Sequence, residues 1–188
     1  LTDLDDKFLK ISYSYATAFI APTLYQSYGS LPYVLPNFDL KPETNASHEL
    51  DFSFGKKDRT FVVNASVFSR KEKEVFVYNW DNRKFLNVES NKVKGVELGV
   101  QYHFNEKVNV GGNFSFAEKD NPATRLRSPK QRANAFLEIL PIKNNRINIS
   151  YQYTSKRNDA YYDSSNFSTK NVELEAFHLF NLNINQKI

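Results

Sequence analysis

Apolar residues recur at every second position through most of this chain, and a period of two produces β-strands with one apolar and one polar face. In Leu9, Ile11, Tyr13, Tyr15, Thr17 and Phe19 the odd positions are mostly apolar, while Lys10, Ser12, Ser14, Ala16 and Ala18 between them are polar or small. The alternation returns at Leu50/Phe52/Phe54, Phe61/Val63/Ala65/Val67, Val96/Leu98/Val100/Tyr102/Phe104, Val108/Val110/Phe114/Phe116, Ile147/Ile149/Tyr151/Tyr153 and Phe180/Leu182/Ile184. The sequence therefore predicts an all-β fold, an antiparallel up-and-down meander of about eight strands. Segments near Arg132–Leu140 and Lys170–His178 alternate poorly and count as weak strands. Phe68 and Phe136 fall on the otherwise polar face, and the pattern offers no reason for either.

Connection lengths carry a second signal. Short connections fall near Gly55–Arg59, Asn105–Lys107 and Ile142–Asn145, rich in turn-forming residues. Long ones are expected over Ala21–Ser47, Asn79–Lys92, Glu118–Lys130 and Lys156–Glu173. Short turns at one end and long loops at the other is the plan of an outer-membrane barrel, whose tilted strands need about 9–11 residues to span. A soluble β-sandwich alternates too. It rarely gathers four long loops at one end, since median connections are about 4–6 residues. The asymmetry favours the barrel and leaves the sandwich open.

Composition narrows the function. Mean hydropathy of -0.57 is uninformative here, because alternation halves the apolar count of a membrane strand. No run of about 18 apolar residues exists, so no transmembrane helix is expected. The chain has 188 residues, begins at Leu1 and shows no signal peptide, which reads as an internal piece or a mature product. With no Cys and no Met there are no disulfides and no sulfur ligands. His48, His103 and His178 lie on separate strands without a carboxylate cluster, so no metal and no cofactor are expected. No Ser/His/Asp arrangement suggests catalytic residues, and the reading is of a protein that is not an enzyme. Net charge is +4, scattered through turns and loops, so no nucleic-acid partner is expected.

The connection after the first strand then reads Phe19-Ile20-Ala21-Pro22-Thr23-Leu24, followed by Asn37-Phe38-Asp39-Leu40-Lys41-Pro42-Glu43-Thr44 and Glu49-Leu50. This resembles the F-x-A-P-[ST]-L … N-P-x-L-K-P-E-[ST] … E-x-G run of TonB-dependent outer-membrane receptors. Lys94-Gly95-Val96-Glu97 is similar to the K-G-x-E strand entry of that family. Phe38 stands where the family usually has Pro, and Asp51 where it commonly has Gly. Ala21, Pro22, Thr23, Leu40, Lys41, Pro42, Glu43, Glu49 and Gly95 are the residues that carry the resemblance. The family resemblance implies a barrel of about 22 strands in the Gram-negative outer membrane. Residues 1–188 would form part of that barrel, at about its thirteenth to twentieth strands, without the plug domain and the last strands. It implies active uptake of a scarce nutrient, energised through TonB, which would engage the N-terminal region missing here. Loop lengths are similar to those of vitamin B12 receptors, so cobalamin is the first ligand expected and a ferric siderophore the second. A complete eight-stranded barrel serving as adhesin or anchor is the alternative of another class.

Two sets of side chains are candidates for contact. Glu97, Gln101, Asn113, Asn148 and Gln152 belong to the polar face, where they would meet water or the protein's own plug domain. Tyr25, Tyr28, Tyr33, Trp80, Tyr161 and Tyr162 are loop aromatics suited to a large, partly apolar small-molecule ligand. Arg125, Arg127, Lys130 and Arg132 form a basic run suited to lipopolysaccharide phosphates or to a plain solvated face.

Overall fold

A computed structural model describes residues 2–4, 6–121 and 125–186. The strands are β1 (Thr2–Leu4), β2 (Lys7–Ile20), β3 (Glu43–Lys56), β4 (Phe61–Asn79), β5 (Lys84–Asn105), β6 (Val108–Lys119), β7 (Gln131–Ile139), β8 (Asn145–Thr154), β9 (Arg157–Asp163), β10 (Ser168–Leu174) and β11 (Phe177–Gln186). One short helix, α1 (Leu24–Tyr28), follows β2. A nine-stranded sheet runs β1 through β8 in order and then β11, while β9 and β10 pair only with each other. Eight long antiparallel strands therefore follow one another as neighbours, as the alternation predicts. The sheet ends at β1 and β11, and β2 does not pair with β11, so these strands do not close a small barrel among the described residues. Among the described residues the only other sheet is the two-stranded β9–β10 ribbon, too small to cover the nine-stranded sheet as the second layer of a sandwich.

Register assigns the faces, because residues opposite one another in an antiparallel pair share a side. Tyr13 lies opposite Leu50, Phe52 opposite Ala65, Ala65 opposite Leu98, and Leu98 opposite Phe114. Phe114 meets Ala133, Leu137 meets Ile149, and Ile149 meets Leu182. The other face carries Ser14 with Glu49, Ser53 with Asn64, Ser66 with Glu97, and Glu97 with Ser115. Almost nothing apolar is covered by protein. Only Val34, Val93 and Ala160 are buried hydrophobics among the described residues, while Leu98 is 50% and Phe180 76% exposed. A continuous apolar face with no protein over it is an exceptional liability in water and ordinary against lipid.

Three expectations about the connections change. Asn79–Lys92 is not a loop: β4 and β5 continue into a long hairpin and turn at residues 80–83, with Asn82 N–H donating to Asn79 Oδ1 at 2.8 Å. The Ala21–Ser47 connection ends early, because β3 begins at Glu43. Lys156–Glu173 holds the β9–β10 ribbon, and the weak strand at Lys170–His178 is divided between β10 and β11. Strands of 19 and 22 residues outgrow a membrane. Beyond it, both faces meet water or loop, so the period-two signal that marks lipid contact fades.

The two displaced phenylalanines now have a reason. Phe68 lies opposite Gly95 and Phe136 opposite Gly111. A Cβ on Gly95 would sit 2.4 Å from Phe68 Cζ, and one on Gly111 would sit 2.7 Å from Phe136 Cε1. Each ring occupies the space a side chain would take on its partner, covering a bare stretch of backbone. Phe8 stands over Gly55 in the same way, at 3.2 Å.

Lysine at Leu98 or Ile149 is expected to cost about 2–4 kcal/mol in folding into lipid vesicles, and the same change at Gln101 or Gln152 next to nothing. Equal costs at the two kinds of position would overturn the assignment of faces.

Candidate functional site

The segment from Ala21 to Glu43 is built by the residues that carry the family motif. Thr23 caps α1: Gln26 N–H donates to Thr23 Oγ1 at 3.2 Å, and Thr23 N–H donates to Gln26 Oε1 at 2.8 Å. That reciprocal box starts the helix, and Gly29 at φ 73 ends it by donating to Tyr25 O at 2.9 Å. Downstream, Lys41 N–H donates to Asn87 Oδ1, and Asn87 Nδ2 returns a bond to Lys41 O, both at 2.9 Å. Glu43 accepts the Phe76 N–H at 2.5 Å, and Lys41 Nζ lies 3.6 Å from Glu74. Pro42 is held between these two attachments. On the polar face Glu49 accepts from Ser66 Oγ at 2.9 Å, and Gly95 receives the Phe68 ring. Thr23, Lys41, Glu43, Glu49 and Gly95 thus fasten a connection to a sheet. They supply no reacting group.

An aromatic cluster forms where this connection lies on the β4–β5 hairpin. Tyr78 and Phe85 are cross-strand partners, with ring centroids 5.3 Å apart. Tyr25 stands edge-on to Phe85 at 6.0 Å, and Trp80 edge-on to Tyr78 at 4.9 Å. Tyr78 Oη donates to Tyr33 O at 3.0 Å, and Arg83 donates to Pro32 O at 3.0 Å. Tyr28 packs on Phe38 at 5.3 Å. Tyr25, Tyr28 and Tyr33 remain more than half exposed. Tyr161 and Tyr162 lie elsewhere, on β9, and as consecutive strand residues they point to opposite sides of the ribbon. Phe85 and Asn87 lie inside the span Asn79–Lys92 that the sequence assigns to a loop, and Tyr78 stands just before it, beyond the alternating stretch Phe61–Val67. The apolar run Val75–Tyr78 was the available signal.

The polar face is concave and encloses about 1080 Å³, lined by Lys10, Glu49, Asp51, Glu97, Gln101 and Asn113 among others. Asn113 Oδ1 accepts from Asn134 Nδ2 at 2.8 Å, and Asn134 lies opposite Gln152. Asn148 shares this face opposite Glu138. His103 joins it, with its ring nitrogen 3.1 Å from Gln101 Nε2. His48 and His178 lie on the apolar face, each beside two tyrosines. Tyr13 Oη is 2.7 Å from His48 Nδ1, and Tyr151 Oη is 2.8 Å from His178 Nδ1.

The basic run is largely committed within the protein. Arg125 donates to Lys119 O and Asp120 O, at 2.8 and 2.9 Å. Lys130 pairs with Glu118 at 2.6 Å, and Arg132 belongs to the polar face opposite Ser115. Arg127 binds Asp159 at 2.7 Å, tying the β6–β7 connection to the β9–β10 ribbon. That hydrogen bond, with a second from the Ala160 N–H, holds the Asp159 carboxyl below its ordinary range. The Lys170 ammonium and Ser165 do the same for Asp163, and Glu173 holds the Lys156 ammonium above its ordinary range.

An open, antiparallel wall with a lipid-facing side and a wet concave side defines a segment of a membrane-spanning β-barrel. Residues 3–188 match the family described as TonB dependent receptor-like, beta-barrel. The chain belongs to that family, whose members are transport receptors of the Gram-negative outer membrane and not enzymes. It is 28% identical over 176 residues to the vitamin B12 transporter BtuB of Vibrio cholerae, covering 91% of this chain and 27% of that protein. It is 25% identical over 191 residues to hemoglobin-binding protein A of Haemophilus influenzae, covering 88% and 18%. Among solved structures it resembles the copper transporter OprC, with a TM-score of 0.76 at 16% identity, over 99% of this chain and 30% of that one. It also resembles the siderophore receptor PirA of Acinetobacter baumannii, with a TM-score of 0.74 at 17% identity, over 98% and 33%.

Because the Asp159 and Asp163 pKa values are depressed on folding, their stabilisation is complete above the ordinary carboxylate pKa of about 3.9 and is lost as pH falls through the folded values. Limited proteolysis of the β9–β10 ribbon should accelerate below that pH, and Asp159→Asn should weaken its attachment already at neutral pH. Gly95→Val should impair barrel assembly, read as the heat-resistant folded band on a gel. Phe68→Ala combined with Gly95→Val should recover part of the loss, since the ring is then gone and only the Phe116 carbonyl still stands against the new side chain.

Proposed function

We propose that this chain forms eight strands of the barrel wall of a receptor that takes up vitamin B12 across the outer membrane. The observation that carries the reading is the alignment to a vitamin B12 transporter over 91% of the chain. The aromatic cluster of Tyr25, Tyr33, Tyr78, Trp80 and Phe85 adds to it. Amphipathic rings already held by neighbours lose little freedom on meeting a large, partly apolar corrinoid. In this reading the loops of that end capture the ligand, and Glu97, Gln101, Asn113, Asn148 and Gln152 face a plug domain. The plug rearranges when TonB transmits the inner-membrane proton gradient. Tyr161 and Tyr162 contribute one ring at most to any single ligand, given their opposite directions.

A second reading, a ferric siderophore, rests on a different feature. A groove of about 610 Å³ at the same end is lined by Lys119, Arg125, Lys156 and Arg157, with Glu173 and Glu175 opposing them. Such a basic lining suits an anionic chelate.

The full-length receptor, expressed in a Gram-negative host lacking its own vitamin B12 receptor, should restore TonB-dependent uptake of labelled cyanocobalamin. Tyr25→Ala with Trp80→Ala should lower that uptake about tenfold, the scale of one aromatic anchor. Uptake of ferric chelates without cobalamin would select the second reading.

A further inference from the structure

The groove between the β6–β7 connection and the base of the β9–β10 ribbon carries more cations than acids, yet most of its charge is already matched. Lys130 is bonded to Glu118 at 2.6 Å and Lys156 to Glu173 at 3.0 Å, and Glu175 adds its field to the same Lys156 ammonium. Two of the lining guanidinium groups have no carboxylate partner among the described residues. Arg125 gives Nε to Lys119 O at 2.8 Å and Nη2 to Asp120 O at 2.9 Å, so backbone carbonyls hold it in place and leave its charge unopposed. Arg157 lies over the Phe177 ring, 5.6 Å from its centre. Its Nη1 is shut off from water and has no acceptor among the described residues. Asp159, two residues further along the same strand, gives its carboxylate to Arg127 at 2.7 Å.

A charged donor hidden from water without an acceptor is costly, and in a folded protein it points to a group supplied from elsewhere. We propose that Arg125 and Arg157 form a clamp for an oxyanion carried by the transported nutrient. They stand on different walls of the groove, one on the β6–β7 connection and the other at the first residue of β9. Those walls are tied together, because Arg127 binds Asp159 through its side chain and donates its backbone N–H to Asn158 O at 2.8 Å. One guanidinium is thus held by carbonyls and the other by an aromatic face before any ligand arrives, so little side-chain freedom remains to be lost. A planar fork of N–H donors matches a group that presents two oxygens on one atom. A carboxylate and a phosphodiester both do so; an ester or amide brings no charge to meet the guanidiniums. The clamp rests on the reading of this chain as part of a nutrient receptor. A corrinoid with its nucleotide would offer the phosphodiester and an iron chelate the carboxylate, and the same two arginines would serve either.

The test uses the full-length receptor in mild detergent and two matched pairs of ligands, with affinities measured by equilibrium dialysis. The first pair is cobinamide phosphate and cobinamide; the second is a ferric hydroxamate bearing free carboxylates and its methyl ester. In whichever pair binds, the wild type should prefer the oxyanion-bearing member by about tenfold, the scale of one charge-assisted hydrogen bond. R157Q should abolish that preference while leaving the affinity for the neutral member unchanged, a split that a merely structural arginine would not produce. R125Q should reduce the preference, which keeps the test open if R157Q fails to give the heat-resistant folded band. K107Q/K143Q, on the short turns at the other end of the strands, should keep it in full. A preference confined to the ferric pair removes the vitamin B12 reading and leaves the clamp standing. Tight but equal binding of both cobinamides does the reverse. Equal affinities within every pair that binds, a preference that survives in folded R157Q and R125Q, or no binding of any of the four ligands by the folded wild type overturns the proposal.

Discussion

Inside a bilayer no water is available to a peptide group, so every N–H and C=O must find its partner in the protein. The unbroken ladder from β2 to β8 and on to β11 meets that demand. It also fixes much else. Once β4 and β5 are paired from Phe61–Tyr102 to Asn79–Lys84, the side of every residue between is decided, and with it which groups meet lipid and which meet water. The ladder leaves two open edges, at β1 and β11, and unpaired edges are templates for association. The chain spans 27% of the Vibrio cholerae transporter it aligns with, and further strands of such a barrel are the natural neighbours for those edges.

The wall inverts the usual division of labour in a protein. Its apolar side chains have no partners within the fold, so packing against lipid replaces a core, and the polar residues face inward. What protein packing exists is concentrated at the long-loop end. There Val34 is buried, Tyr78 and Phe85 receive Tyr25 and Trp80, and Asn87 and Glu43 fasten the connection. The family motif is easily mistaken for a binding signature, yet its side chains do structural work: capping a helix, closing a hydrogen-bond clasp, admitting a ring.

Much of the wall was legible in the sequence because lipid on one face and water on the other impose a strict period of two. Tyr13, Phe52, Leu98, Phe114 and Ile149 share a face as the pattern requires, and Ser14, Ser53, Glu97, Ser115 and Ser150 share the other. The reading failed where that contrast ends. Val75–Tyr78 and Lys84–Lys92 are strands with loop or water on their sides; Val75–Tyr78 is apolar throughout and does not alternate, and Lys84–Lys92 carries no regular period of two. The candidate site was legible as a list of loop aromatics but not as a place. Only pairing reveals that Tyr25, Tyr33 and Trp80 gather around Tyr78 and Phe85, while Tyr161 and Tyr162 diverge on a separate ribbon.

The phenylalanines laid over Gly55, Gly95 and Gly111 bear on the bore of the finished barrel. A ring standing upright on the inner wall would project by its full length, whereas one lying over a glycine adds little more than its own thickness. At these three places the inner radius is therefore set by main chain and a flat hydrocarbon plate. Such a surface is smooth and offers no donor or acceptor for a neighbouring element to catch. A domain seated against it could slide or be withdrawn there without breaking hydrogen bonds, and would find its grip at the Asn, Gln and Glu positions in between. The wall thus alternates between points of hold and points of glide.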